Sequence, residues 1–486
     1  MSQITRRGFL KHTAAGAAAF PLVTISGTKA SGNVLGANEA VRIAVAGIHG
    51  RGQSHIDEYL GMKNVRITHL VDPDSSLYKG SIKKIEDKGG GTPVGVQDIR
   101  KALDDKDIDV VSIATPNHWH SLMTIWACQA GKDVYVEKPL SHNVHEGRVC
   151  VEAARRYKRL VQHGTQQRSS GGRASEIAAV QSGKYGRLLV SKGYCCKPRW
   201  SIGTRPTGKP PENLAFDIWL GPAPEQPYHG NLVHYNWHWF WDFGNGDIGN
   251  QGVHEMDVAR WAIKDATLPT KVWSLGGRFG YEDQGQTPNM ELSVMEFGDA
   301  LLVFEVRGLV DNPKEKGKKS FPFKVANEYY TTEGMITNGR FFPHNGGKPE
   351  ALAHIDVKVN AGGPFGSFIN AVRSRKVEDL NADVEIGHYS AALCHLGNIS
   401  YRLGEKVPFS SKGQRLGDNK EVVEAFNNLR ENLRGVGVKL EETEYVLGKT
   451  LSFDPKAERF VGEGAEAANP FLTRAYRKPF VVPESV

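Results

Sequence analysis

The stretch VRIAVAGIHGRG, Val41–Gly52, decides how the N-terminal half of this chain folds. A short apolar run enters a glycine-rich turn, which is typical of a buried parallel strand that leads into a helix. Compared with the pattern G-x-G-x-x-G, Gly47 and Gly52 fill the first and third positions, and His49 replaces the second glycine. Such turns bring backbone N–H groups at a helix N-terminus close to a pyrophosphate. The stretch therefore predicts a dinucleotide-binding turn.

Strands and helices alternate from residue 40 to residue 165. The other predicted strands are VRITHLVD (65–72), DVVSIATP (109–116), DVYVEKP (133–139) and RLVQHG (159–164), with helices at 121–130 and 144–156 among the segments between them. Near-continuous apolar strands separated by helices indicate a parallel sheet covered on both faces. We therefore predict a Rossmann-type, doubly wound domain over residues 40–165, with a flavodoxin-like sheet as the structural alternative.

An acidic residue at the end of the second strand supports the dinucleotide interpretation. Asp72 lies where a carboxylate can bind the ribose hydroxyls of adenosine. Asp74 lies nearby and no basic residue follows Asp72 directly, which favours NAD, with NADP as the alternative. Gly50 and Arg51, which follow His49, belong to the same predicted cofactor site.

Composition describes an ordinary globular protein and excludes some classes of partner. The chain has 486 residues, 40% hydrophobic and 24% charged, which is enough for two or three domains. Four of the seven net positive charges arise in the first thirty residues, so no clustered basic surface indicates nucleic acid. The five cysteines have no zinc-site spacing, and their odd number leaves at least one unpaired.

The N-terminus carries an export pattern. The twin arginine in TRRGFLK (5–11) precedes a modestly apolar run at 13–26, which is typical of a Tat signal peptide. We predict a signal over residues 1–30, the Tat translocon as a partner and a periplasmic or otherwise exported protein. The apolar run is too short for a stable membrane span.

The second half combines partly alternating strands with one chemically dense segment, HYNWHWFWDFGNGDIGNQGVHEMDVARW (234–261). Asn250, His254, Asp257 and Trp261 recur in it at helical spacing and share roughly one face. The histidine has a structural alternative, since a lone helical histidine usually only packs. A metal site is not predicted, because His234, His238, Asp242 and His254 contain no compact ligand pair.

Four motifs in this order resemble the Gfo/Idh/MocA oxidoreductases. They are the dinucleotide turn, ATPNHWH (114–120), VEKP (136–139) and NQGVHEMDVARW (250–261). The resemblance implies a Rossmann domain followed, over residues 166–410, by a substrate and oligomerisation α/β domain with a large open, mainly antiparallel sheet. It also implies late helices that pack back on the Rossmann domain and a homo-oligomer formed through the open sheet. Residues 411–486 are left as a C-terminal extension.

The resemblance also assigns roles. It implies that Glu137 supports the cofactor, that Lys138 reaches the substrate hydroxyl and that the bond from Lys138 to Pro139 is often cis. His254 would be the acid/base opposite Lys138. Asn250 stands where the family pattern has Asp, so it can bond a sugar hydroxyl but cannot take a proton. The remaining predicted cofactor contacts are Thr115, Pro116, Asn117, His120 and Gln166.

Two further residues are predicted to contact the substrate, with open alternatives. Arg168 follows the sixth strand, where a cofactor or substrate contact is reasonable. Trp119 either walls a sugar pocket or packs in the core. Asp257 either orients His254 or pairs locally.

These patterns predict an exported NAD(P)-dependent oxidoreductase that acts on a hydroxyl-bearing carbon of a sugar, polyol or glycoside. A glycosidase that uses tightly bound NAD transiently is the related alternative. A nucleotide-binding sensor without turnover is the alternative from another class.

Overall fold

The computed structural model describes residues 40–310, 321–409 and 416–486. The predicted export signal lies outside these ranges. None of the helices within them is long and apolar enough to cross a membrane.

Six parallel strands form the first sheet, in the order β3-β2-β1-β4-β5-β6. This is the order of a Rossmann fold, so the predicted doubly wound sheet is confirmed. All residues of the fourth and fifth strands are buried, as their apolar runs predict. The strands are β1 Val41–Ala46, β2 Val65–Val71, β3 Val94–Val96, β4 Val110–Ile113, β5 Asp133–Val136 and β6 Val161–His163.

Five helices connect these strands: α1 Arg51–Leu60, α2 Tyr78–Asp87, α3 Ile99–Leu103, α4 Asn117–Gln129 and α5 Val144–Arg156. Asn143 caps α5 by accepting a hydrogen bond from the backbone N–H of Glu146. Helix α4 begins earlier than the predicted 121–130, because Pro116 precedes its first turn as the N-cap. Asn117 and His120 therefore belong to the same helical turn.

The second sheet is large and mainly antiparallel. Its order is β16-β15-β14-β13-β7-β12-β11-β10-β18-β17, with β19 pairing to β10 and β20 pairing to β19. Only the pair of β7 with β12 is parallel among its described pairs. Its strands are β7 Leu188–Cys196, β10 Lys271–Gly277, β11 Met290–Phe297, β12 Ala300–Arg307, β13 Lys324–Thr331, β14 Gly334–Thr337, β15 Arg340–Pro343, β16 Glu350–Ala351, β17 Glu405–Pro408, β18 Glu444–Leu447, β19 Leu451–Asp454 and β20 Arg459–Val461, while β8 Thr207–Gly208 and β9 Tyr228–His229 pair separately.

The helices that follow β6 are α6 Gly171–Gln181, α7 Phe216–Leu220, α8 Gly246–Gly249, α9 Gly252–Ala262, α10 Gly363–Ser374, α11 Val384–Arg402, α12 Lys420–Gly435 and α13 Ala465–Ala468. Among them, α9 and α11 cover one face of the second sheet and α12 covers the other. Residues of α9 and α11 share one core with strands β10 and β12. On the other face, α12 buries Val422, Phe426, Leu429 and Leu433 against β11 and β12. The C-terminal extension thus covers part of one face of the second sheet.

The last part of the chain returns to the first domain. Phe365 of α10 stacks on Tyr135 of β5, with ring centroids 4.3 Å apart. Phe480 is 1% exposed and packs at the edges of Trp119 and Trp126. The final residues therefore pack beside helix α4, which carries part of the site described next.

Candidate active site

A cavity of about 530 Å³ opens where β1, β2, β4 and β5 end. Ligands of doubly wound sheets bind at this edge. Residues of the second domain close the cavity from the other side. All the predicted site residues line it except Gly52 and Arg168; those that do are Gly47, His49, Gly50, Arg51, Asp72, Thr115, Pro116, Asn117, Trp119, His120, Glu137, Lys138, Gln166, Asn250 and His254.

The turn after β1 requires glycine at two positions. Gly47 has φ +79°, and a Cβ there would lie 2.6 Å from the backbone of Ala114. A Cβ on Gly52 would lie 1.8 Å from the carbonyl oxygen of Gly47. Gly50 has open space around it and His49 is exposed, so the start of α1 faces the cavity without obstruction. The turn fits a pyrophosphate at a helix N-terminus, even though the second glycine of the motif is replaced.

Asp72 holds this turn in place. Its carboxylate accepts hydrogen bonds from the backbone N–H groups of Ile48 (2.9 Å) and Asp74 (3.0 Å). Burial raises the pKa of Asp72 to about 6, although both backbone hydrogen bonds favour the charged form. Each oxygen accepts only one of these bonds, so the carboxylate keeps acceptor capacity on the cavity side. That capacity suits a ribose diol.

Glu137 is the centre of a hydrogen-bond cluster beneath the cavity. It accepts from Arg51 Nε (2.8 Å), pairs with His55 Nε2 (3.1 Å) and accepts from Gln166 Nε2 (3.4 Å). Although burial opposes its charge, the hydrogen bond from His55 and the charges of Arg51 and Lys138 hold the pKa of Glu137 well below its ordinary value. Glu137 is therefore a carboxylate at neutral pH.

Lys138 reaches across to the second domain. Its Nζ donates to the backbone oxygen of Asn250 at 2.8 Å and lies 3.4 Å from Asn250 Oδ1. Burial lowers the pKa of Lys138, while Glu137 and Asp247 oppose that effect. The bond from Lys138 to Pro139 is cis.

The environment of Asn250 explains why an aspartate would fit poorly there. Its Nδ2 donates to Asp247 Oδ1 at 3.3 Å, and Asp247 is 1% exposed and paired with Arg199. An aspartate at 250 would place its carboxylate as close to the buried carboxylate of Asp247 as the amide is now, at 3.3 Å. Two carboxylates at this distance disfavour each other's charge. The amide avoids this repulsion and still faces the cavity.

His254 lies on the first turn of α9, and its ring has no hydrogen-bond partner among the described residues. Burial and the charge of Lys138 lower the pKa of His254 to about 3. The ring is therefore neutral at physiological pH, with one nitrogen able to accept a proton.

Arg168 does not line the cavity, contrary to its predicted contact with substrate. Its guanidinium forms a buried ion pair with Asp257, with Nε–Oδ2 and Nη2–Oδ1 both 2.9 Å. Asp257 also accepts from Ser390 Oγ at 2.6 Å. Asp257 is therefore engaged by Arg168 and Ser390, and it does not orient His254; the pair instead ties the segment after β6 to α9.

The first turn of α4 is held by hydrogen bonds to both domains. Asn117 donates to Asn245 Oδ1 at 3.1 Å. The two ring nitrogens of His120 contact the carbonyl oxygens of Pro139 (2.6 Å) and Thr115 (2.7 Å). His120 thus braces the turn after β5 against the turn after β4.

Residues 213–238, which we call the roof, cover the cavity from the second domain. Asn213 Nδ2 donates to Asp74 Oδ1 at 2.5 Å, and His234 Nε2 lies 3.0 Å from Asp74 Oδ2. The His234 ring also stacks on His49, with centroids 4.3 Å apart. The roof is therefore fastened to the Rossmann domain next to the glycine turn.

Trp119 connects the roof to the core. It is 3% exposed, and its Nε1 donates to the backbone oxygens of Ile218 and Trp219, both at 3.1 Å. Its ring packs against Phe480. The geometry thus favours the core alternative for most of this ring, while one edge lines the cavity.

Several lining residues escaped the sequence prediction. His55 does not line the cavity but supports it from below, and it could have been found, because Arg51 and His55 are four residues apart on one face of α1 and both reach Glu137. The roof residues Trp219, His234, Tyr235, Trp237 and His238 also line the cavity, and no local pattern indicates that they do so. Among the described residues, no group of three His, Cys, Asp or Glu side chains could hold a metal ion.

Comparison with known families agrees with this architecture. Residues 41–165 match the NAD-binding Rossmann fold of the GFO/IDH/MocA oxidoreductase family, and residues 183–277 match the family's C-terminal alpha/beta domain. Both matches confirm the family resemblance inferred from the motifs: the chain carries the two domains of the Gfo/Idh/MocA oxidoreductases. The roles of individual site residues stay predictions.

Individual relatives are distant. An alpha-N-acetylgalactosaminidase of Shewanella oneidensis is 27% identical over 223 residues, 42% of this chain and 48% of that protein. The match thus spans about half the length of this curated relative. Two solved structures share the fold: the WlbA dehydrogenase of Chromobacterium violaceum in complex with NADH and UDP-GlcNAcA (TM-score 0.55, 16% identity, 75% of this chain and 95% of that chain) and the aldose-aldose oxidoreductase of Caulobacter crescentus (0.52, 14%, 73% and 95%).

Proposed function

We propose that the protein is an NAD-dependent oxidoreductase acting on a hydroxyl-bearing carbon of a carbohydrate. The observation that carries the proposal is the meeting of Lys138, Asn250 and His254 in one cavity with the glycine turn and Asp72. Bound NAD would supply a hydride acceptor at its nicotinamide ring. The remaining chemistry is the binding of a hydroxyl and the removal of its proton.

The part of the cavity that the Rossmann domain forms suits NAD. The turn around Gly47 and Gly50 would face the pyrophosphate, and Asp72 would accept from the ribose hydroxyls. Asp74 adds a second acid beside Asp72, which disfavours the extra phosphate of NADP. We therefore favour NAD.

Lys138 and His254 divide the proton chemistry. His254 is neutral and its ring forms no hydrogen bond with a described residue, so it can accept the proton of a substrate hydroxyl. The ammonium group of Lys138, held by the backbone oxygen of Asn250, would stabilise the alkoxide that develops. In the reverse direction His254 returns the proton.

Carbohydrate is the substrate class that the surroundings favour. Trp237, Tyr235 and His238 line the cavity, and aromatic rings beside polar groups suit the apolar faces and hydroxyls of a sugar. The solved relatives named for sugar or aldose chemistry support the same class.

The second candidate is a glycosidase that uses NAD transiently. It would oxidise a ring carbon, eliminate the aglycone, add water and reduce the ring again, so NAD would never be released. The fastened roof and the similarity to an alpha-N-acetylgalactosaminidase favour this candidate. We also propose export through the Tat pathway on the basis of the N-terminal motif, and a cofactor that stays bound suits that location.

One experiment separates these candidates. The protein without residues 1–30, loaded with NAD, is mixed with sugars and aryl glycosides while nicotinamide absorbance and released aglycone are recorded. Accumulating NADH with a ketosugar supports the dehydrogenase, and released aglycone without net NADH supports the glycosidase. Neither signal across the panel, with NAD bound, would favour a sensor without turnover.

Variants test the assigned groups in whichever reaction is found. Lys138→Met and His254→Ala should each lower kcat about 10²–10⁴-fold while NAD remains bound. Lys83→Met, whose side chain is 73% exposed on α2, is the matched control and should keep full activity. Full activity in either site variant would overturn the mechanism.

A further inference from the structure

We propose that a second pocket, separate from the cofactor cavity, binds a small oxyanion, either a carboxylate or a phosphate. The pocket has a volume of about 170 Å³ and lies between the segment 241–245, the C-terminal half of α11 and the segment 470–474. None of its lining residues lines the cofactor cavity. It is therefore a site of its own.

The main evidence for the proposal is the position of Arg402 between two aromatic rings. Its guanidinium lies 5.0 Å from the ring centroid of Trp241 and 4.5 Å from that of Phe471. It forms no hydrogen bond or ion pair with any residue in the described ranges. The two rings hold the planar group in position while leaving its N–H donors free, an arrangement suited to a bidentate oxyanion.

Arg474 supplies a second positive charge at the same pocket. Its Nη1 donates to the backbone oxygen of Asp242 (2.8 Å) and to His142 Nδ1 (3.2 Å). Its Nη2 lies 3.8 Å from Asp242 Oδ1, which is beyond a good hydrogen bond. The side chain is thus anchored through one nitrogen and keeps donor capacity on the other.

Asn398 joins two walls of the pocket. The residue is 4% exposed and lines the pocket, and its amide nitrogen donates to the backbone oxygen of Asn245 at 2.9 Å. This hydrogen bond ties the C-terminal half of α11 to the segment 241–245, between which the pocket lies.

The charge balance favours an anion. Two arginines face one acid, and the carboxylate of Asp242 is 46% exposed and accepts from Gln226 at 3.2 Å. The negative charge of Asp242 acts on the guanidinium of Arg402, but solvent and Gln226 share that charge and no ion pair forms between the two side chains. A bound oxyanion would add a second negative charge beside Arg402.

Isothermal titration of the NAD-loaded full-length protein tests the site, with D-gluconate and inorganic phosphate as probes and glycerol as the neutral control. We expect saturable binding of one of the anions at millimolar concentrations and none of glycerol. Arg402→Gln should weaken binding about tenfold or more, since one bidentate charged contact is lost. Arg434→Gln, a 52% exposed arginine on α12, is the matched control and should leave affinity unchanged.

No saturable binding of either anion would overturn the proposal, and so would unchanged affinity in Arg402→Gln. Because Arg402 is exposed and makes no hydrogen bond, that variant should fold normally, and its circular dichroism spectrum verifies this.

Discussion

The ion pair of Arg168 with Asp257 gives the sharpest test of the structure, because sequence reasoning assigned Arg168 to the substrate. Their side chains are 9% and 0% exposed. Arg260 Nη2 also lies 3.5 Å from Asp257 Oδ1, so two buried arginines share one carboxylate. The perturbations are Asp257→Asn and Arg168→Met, each made alone.

The expected losses differ because the carboxylate is shared. Asp257→Asn leaves both guanidinium groups buried without a counter-ion, and breaking a buried pair in this way costs about 3–5 kcal/mol. Arg168→Met leaves Asp257 paired with Arg260 and bonded to Ser390, and it removes the repulsion between the two arginines. Its cost should therefore be smaller, about 2–3 kcal/mol.

Urea unfolding of the nucleotide-free protein, followed by tryptophan fluorescence and circular dichroism, measures both losses. Coincident transitions justify a two-state free energy. Arg434→Met is the control, and its exposed side chain should change stability by less than about 0.5 kcal/mol. The reasoning fails if Asp257→Asn costs less than about 1 kcal/mol. It also fails if Arg168→Met raises KM strongly at unchanged stability, since Arg168 would then be a substrate contact.

Three further predictions concern the cavity. With the pKa of His254 lowered to about 3, kcat of the NAD-saturated enzyme should show no acid limb between about pH 5 and 8, and a limb near the ordinary histidine value of ~6.5 would contradict the assignment. Asn213→Ala and His234→Ala, which unfasten the roof from Asp74, should speed exchange of bound NAD for labelled NAD about tenfold, while His229→Ala, a histidine outside these contacts, should not. Because burial raises the pKa of Asp72 to about 6, its contribution to stability is fully present below the unfolded value of ~3.9 and is lost as pH rises through 6. Asp72→Asn should remove this component, about 3 kcal/mol, from the pH dependence of urea unfolding of the nucleotide-free protein; an unchanged dependence would show that Asp72 is not the group.

The main parts of the cofactor side were predictable because they follow from local rules. Apolar strands and intervening helices predict a parallel sheet, and the carboxyl ends of its strands meet at one edge. The glycine turn, Asp72, Thr115 and Glu137-Lys138 each end a strand, so strand assignment alone brought them together. The replacement of a glycine by His49 did not disturb this, because the steric demand falls on Gly47 and Gly52.

The second domain was less predictable, since its contacts join distant parts of the chain. Arg168 and Asp257 are 89 residues apart, and His234 and Asp74 are 160 apart. Periodicity reports which face of an element is buried, but it carries no information about the partner on the other side. For the same reason α12 could be predicted as an amphipathic helix at best, and its position on the sheet face could not.

The sequence by itself therefore determined the Rossmann fold, the family and the group of site residues at the strand ends, because these depend on spacing within short segments. Only the tertiary structure decided that Arg168 pairs with Asp257 of α9 instead of facing a ligand, that residues 213–238 cover the cavity, and that Arg402 lies between two aromatic rings. Each of those outcomes depends on which charged or aromatic side chains meet after folding. A buried charge takes the nearest partner that the packing offers, and packing is a property of the whole chain.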